Sequence, residues 1–146
     1  MTSLLHRPPS IDDLEAALDA LPPASMPVRH HFTPGLYCRE ITMPAGTLAT
    51  SMEHKTEHPF VISAGVVEVI DSHGNAELLQ APHFGITQPG TKRVLRVLAD
   101  TVWTTFHATG ETDVVKIGEA ILVPSATPDR EAWRRELPTT LTTTTP

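Results

Sequence analysis

The chain of 146 residues carries eight histidines, at positions 6, 30, 31, 54, 58, 73, 83 and 107. His54 and His58 bracket a three-residue polar corner of Lys55, Thr56 and Glu57. A hairpin there brings the two imidazoles together, and their even spacing puts them on one face of an extended chain. Imidazole is the commonest protein ligand for borderline divalent metals. His107 is the third candidate. Its stretch alternates Val102, Thr104 and Phe106 against Trp103, Thr105 and His107. If the second of these faces turns inward, His107 reaches the same cavity. Three imidazoles around one ion with an open position make a reactive site. The ions expected are Fe, Mn, Ni or Zn. Glu57 is a candidate fourth ligand or acid/base group, with a solvated turn carboxylate as the ordinary alternative. A hydrogen-bonded wall residue is the ordinary alternative for each histidine. Arg93 is a candidate contact for a substrate carboxylate. Trp103 is a candidate contact on the cavity wall.

The other histidines read more plainly. His30 and His31 fall in an N-terminal arm, His73 in a hairpin turn, and His83 beside backbone it can bond. Cys38, the only cysteine, has no histidine beside it in a recognisable motif and reads as packing.

These candidates need elements to position them. Ser10 is placed to cap a short helix from Ile11, with Ile11, Leu14, Leu18 and Leu21 on one stripe and Pro22 and Pro23 ending it. From Gly35 the period becomes two. Residues 35–43 predict a strand with Tyr37, Ile41 and Met43 on one face. Further strands are expected over 47–54, 59–64, 66–70, 76–79 and 83–87. Residues 93–98 and 101–108 predict a last hairpin turning at Ala99 and Asp100. The segment from Asp71 to Asn75 is a strong turn, because its Gly and Asn accept positive φ. Short strands at this spacing make a sandwich or a barrel. A short closing helix is expected over 112–122 and a charged helix over 129–137. Residues 139–146 are nearly all threonine. The expected organisation is an arm over 1–34, a barrel over 35–123 and a tail over 124–146.

Composition excludes several roles. The net charge is −6 and the 11 basic residues are scattered. A phosphate-tracking surface needs them clustered, so nucleic acid is not an expected partner. No apolar run approaches the ~20 residues that span a bilayer. The first residues lack the layout of a signal peptide. A lone cysteine fits a reducing, intracellular setting.

The stretch from Gly46 to Gly65, followed by Pro89, Gly90 and His107, resembles the cupin superfamily. The resemblance implies an all-β, single-domain double-stranded β-barrel, or jelly roll. On its first motif, His54 falls on the second histidine, His58 on the glutamate, and Met52 where the first histidine stands. On its second motif, Arg93 falls where the histidine stands. The chain is also similar to small cupin-like proteins of tailed phages and prophages. The shared motifs are His54 to His58, Gly90 to Arg93, and Thr101 to Thr109, within residues 36–123.

Three functions follow as expectations. One is a non-catalytic virion module, such as a decoration, cement or fibre-base protein, found in the particle or the host cytoplasm. Its partners would be copies of itself and other virion proteins. The second is a mononuclear-metal enzyme acting on a small acid or sugar through His54, His58 and His107. The third is a metal-free ligand-binding cupin, which the shortage of aromatic residues weakens.

Overall fold

The computed structural model describes residues 10–21, 25–124 and 140–143. Ten elements follow in order: α1 (Ile11–Asp19), β1 (Val28–Thr33), β2 (Leu36–Met43), β3 (Leu48–Thr50), β4 (His58–Ile70), β5 (Ala76–Gln80), β6 (His83–Thr87), β7 (Val94–Ala108), α2 (Val114–Ile121) and β8 (Thr140–Thr143). The strand path is β5-β4-β7-β2-β1-β8, with β3 also on β7 and β6 also on β4.

Two long strands organise the barrel. The first half of β4 lies between β6 and the second half of β7; its second half lies between β5 and the first half of β7. Each long strand therefore serves two sheets and must bend between them. The bend falls at Gly65, whose φ is +99°, where the β4–β7 register shifts. A Cβ there would lie 2.4 Å from the Asp100 carbonyl oxygen and 2.3 Å from Thr101 Oγ1. Only glycine permits that φ and that approach.

Inward positions alternate as a half-buried strand requires. Phe60, Ile62, Val67 and Val69 of β4 meet Leu95, Val97 and Trp103 of β7, with Met43 and Leu79, in one core. Each such side chain, fully buried, contributes about 1.5–3 kcal/mol.

The expected hairpin at Ala99 and Asp100 is not there: β7 runs unbroken through both. A two-residue hairpin needs positive φ, and here the sharp corner is made by Gly65 on the neighbouring strand. Asp100 instead accepts the Ala45 amide at 2.8 Å. Residues 59–64 and 66–70 are likewise one strand. The strand expected over 47–54 is confined to Leu48–Thr50, and His54 makes an isolated bridge with Leu122.

The stretch assigned to the arm contains β1, which pairs residue for residue with β2. Its pattern was masked because a histidine, His30, occupies an inward position. Thr140–Thr143, in the stretch assigned to the tail, pairs in parallel with β1. Threonine is β-branched and suits a strand.

Helix α1 begins as expected, with a capping box between Ser10 and Asp13. Its buried residue is a polar one on the same face as Ile11, Leu14 and Leu18. Glu15 is the buried residue, and its carboxylate accepts from Thr50 Oγ1 at 3.1 Å and pairs with Lys92 at 3.1 Å. The closing helix is α2, capped by Asp113. The charged helix expected over 129–137 lies outside the described residues.

Candidate metal centre

His58 opens β4, and His107 lies next to the end of β7. Phe60 pairs with Thr105, so continuing two residues along both antiparallel strands brings the two imidazoles level. His54 arrives from the segment after β3. That segment is held by backbone bonds from Lys55 to Ile121 at 2.7 Å, Gly90 to His54 at 2.9 Å and Val123 to Glu53 at 2.9 Å. The ring centroids are 4.2 Å apart for His54 and His58, 4.7 Å for His58 and His107, and 5.4 Å for His54 and His107. One ligand nitrogen from each lies within 4.8 Å of the other two. The three histidines singled out in the sequence are thus one cluster.

Each ring is fixed through one nitrogen. His58 Nδ1 donates to the Thr56 carbonyl at 3.1 Å. His107 Nε2 lies 2.9 Å from Thr105 Oγ1. His54 bonds the Met52 carbonyl. Such outer bonds set the tautomer and aim the other nitrogen. His107 Nδ1 is buried and has no hydrogen-bond partner among the described residues. An ordinary wall histidine has both nitrogens satisfied, and this one does not.

The electrostatics agree. Burial, then the neighbouring His58 and His107, push His54 down to about 3. Burial, then His58 and Arg39, push His107 down to about 4. Burial also lowers His58. All three are neutral near pH 7, the protonation state a metal ligand needs. Three imidazole nitrogens within 4.8 Å of one another, an unpartnered buried nitrogen and neutral rings fit a borderline divalent ion.

Glu57 is not part of the cluster. It is exposed, and its Oε1 accepts from Gln88 Nε2 at 3.5 Å. The corner aims His54 and His58 inward and leaves Glu57, one residue out of phase with His58, in solvent. The donor set is three uncharged rings.

The rings open into a cavity of about 160 Å³. Arg93 and Trp103 both border it. Arg93 Nη2 donates to Thr87 Oγ1 at 2.9 Å, and its guanidinium lies 5.6 Å from the centre of the Phe60 ring. Trp103 stacks on Phe60 at 4.6 Å and is core as much as wall. Ile117 and Ile121 of α2 cover one side.

Three cavity residues escaped the sequence reading. His30, Tyr37 and Arg39 line it. Arg39 has the parity of Tyr37, Ile41 and Met43, the face already recognised on β2, and that parity was the signal. His30 stands opposite Arg39 on β1.

No protein-family model and no curated protein matches the sequence. Solved structures do match the fold. A salicylate 1,2-dioxygenase variant from Pseudoaminobacter salicylatoxidans aligns with a TM-score of 0.52 at 16% identity, over 75% of this chain and 33% of that one. Protein NMB1881 from Neisseria meningitidis aligns at 0.51 and 8% identity, over 66% of this chain and 96% of that one. A putative ethanolamine utilization protein Q from Salmonella typhimurium aligns at 0.50 and 6% identity, over 61% and 73%. The chain thus spans about a third of the dioxygenase and nearly all of the Neisseria protein. The fold is a double-stranded β-barrel, or jelly roll. The three histidines could hold a metal ion, whose identity the fold leaves open. No phage relationship emerges from these likenesses. Among the described residues, no helix is long and apolar enough to cross a membrane.

Proposed function

We propose that this chain is a mononuclear-metal cupin in which His54, His58 and His107 hold one divalent transition ion, Fe, Mn, Ni or Zn, and that it acts on a small acid or sugar in the cavity. The observation that carries the reading is the cluster itself: one ring nitrogen from each of His54, His58 and His107 lies within 4.8 Å of the other two. A bound ion supplies Lewis acidity and open positions for a substrate oxygen.

The protein's own residues do the rest. Thr56, Thr105 and the Met52 carbonyl hold the rings in orientation. Met43, Leu95, Ile117 and Ile121 give the cavity apolar walls and exclude water. Arg93 places a fixed positive charge at the wall, and burial keeps it on Thr87 and Phe60.

The test is elemental analysis of protein purified without added metal, with a cobalt titration followed by visible absorption. About one ion per chain, lost in His107→Ala, is expected. Sub-stoichiometric metal with no cobalt spectrum would overturn the reading.

A virion module was the favoured expectation, from the incomplete ligand set, the tails and the phage resemblance. No feature of the barrel favours it, since a rigid spacer has no need of three clustered imidazoles beside a cavity. Self-association remains a proposal: Leu78, Phe84 and Ile86 are exposed on β5 and β6, the outer strands beside β4. Light scattering of the purified chain reads it, and a monomer at all concentrations removes it.

A further inference from the structure

Thr87 closes β6, and its Cα partner on β4 is His58. Arg93 Nη2 donates to Thr87 Oγ1 at 2.9 Å, and both residues border the cavity. A guanidinium therefore reaches the residue directly across from one of the three clustered histidines, and its charge acts on His58. Arg93 is half-buried, and among the described residues it forms no ion pair. Its guanidinium meets one neutral hydroxyl and the face of the Phe60 ring. Glu77 acts on it at longer range and lines a neighbouring cleft, not the cavity. The hydroxyl takes one of the five N–H donors of the guanidinium. A cation drawn out of water without a carboxylate is unfavourable, and an anion is what completes it.

The cavity as a whole has the same need. Among the described residues, no aspartate or glutamate lines it, and its other guanidinium, that of Arg39, is already engaged. An ion held by three uncharged rings keeps its full charge. Met26, Val28, Ile41, Met43, Leu95 and Ile117 give the cavity apolar walls, against which the many hydroxyls of a sugar would stay unpaired. An apolar cavity of about 150 Å³ holds benzene. The volume here, about 160 Å³, suits an acid with one six-membered ring or a chain of similar size.

We propose that Arg93 is the specificity-determining residue of this cavity: it takes the carboxylate of a small monocarboxylic acid with a hydrocarbon body and holds it beside His58. This rests on the reading of the cavity as a substrate site and narrows its ligand from an acid or a sugar to an acid. The planar guanidinium offers paired N–H donors in a fork that matches two carboxylate oxygens. Thr87 and Phe60 fix the plane of that fork.

The experiment is calorimetric titration of the whole chain, metal-free and zinc-loaded, with zinc uptake measured in the same samples. The probes are benzoate and cyclohexanecarboxylate, with inorganic phosphate and benzyl alcohol as controls. Both carboxylates are expected to bind, and both controls to bind at least about 10-fold more weakly. Arg93→Gln should weaken benzoate about 10- to 100-fold, and Arg93→Lys should recover part of the loss. Unchanged benzoate binding in Arg93→Gln overturns the assignment. Phosphate or benzyl alcohol binding as tightly as benzoate overturns the choice of a hydrocarbon-bodied acid. Zinc uptake without binding of either carboxylate overturns the subsite and leaves the metal reading standing. Arg93-dependent benzoate binding without zinc uptake does the reverse. If Arg93→Gln fails to fold, the Arg93 Nε resonance of the wild-type chain decides: benzoate moves it, or the assignment falls.

Discussion

Gly65 of β4 lies so close to Thr101 of β7 that a Cβ on the glycine would fall 2.3 Å from the threonine Oγ1. The contact sits where both long strands pass from one sheet to the other, and the Asp100 carbonyl closes it from the backbone side. Gly65→Ala must therefore strain a φ of +99° and separate two paired strands at once. A loss of about 3 kcal/mol or more is expected from urea unfolding. A loss under about 1 kcal/mol would mean that the corner yields.

Metal should stabilise the fold. At a zinc concentration 100 times its dissociation constant, the stabilisation is about 2.7 kcal/mol, visible as a rise in melting temperature that a chelator reverses. His54→Ala and His107→Ala should abolish the rise. Glu57→Gln should leave it unchanged, because that carboxylate faces solvent.

Acid should weaken the metal-free protein. His30 is pushed from 6.5 to about 4, first by burial and then by Arg39, and His54 and His107 fall to about 3 and about 4. The unfolded chain takes up these protons more readily than the folded one. Stability is therefore whole above about pH 6.5 and is lost as pH falls toward 4. Urea midpoints measured from pH 8 to pH 4 should be flat at first and then decline. A flat profile throughout would contradict burial of these rings.

Helix α1 should be held by its one buried carboxylate. Lys92 bridges Asp12 at 2.7 Å and Glu15 at 3.1 Å, but only Glu15 is out of solvent. Lys92→Met strands a buried charge without its cation, and a loss of about 3 kcal/mol is expected. Asp12→Asn removes an exposed partner and should cost about 0–1 kcal/mol. Equal losses from the two variants would mean that Glu15 is not buried.

The barrel was legible in the sequence because its signals are local. The Asp71–Asn75 turn, the strand over 83–87 and the inward parity of Trp103 and His107 all follow from turn chemistry and a period of two. The cluster of His54, His58 and His107 was legible for the same reason, once a barrel joined the two stretches. What escaped depends on tertiary context. A break was read at Ala99 because the corner's cause, Gly65, lies on another strand. His30 was read as part of an arm because a polar residue at an inward position hides a strand. Glu57 stood as a candidate fourth ligand beside its reading as a solvated turn carboxylate, because spacing alone does not say which residues of a corner turn inward.

The antiparallel pairing of β4 and β7 also separates the molecule's two ends. His58 begins β4 and His107 lies near the finish of β7, while the Asp71–Asn75 turn follows the other end of β4. Thirteen residues at ~3.3 Å each put up to about 40 Å of strand between them. The turn is closed by its own bonds, with Asp71 Oδ1 accepting the His73 and Asn75 amides, and nothing of the imidazole cluster reaches it. It is the natural handle of this protein: a tether, a fluorophore or a fused partner attached there leaves the reactive mouth facing away from whatever holds it.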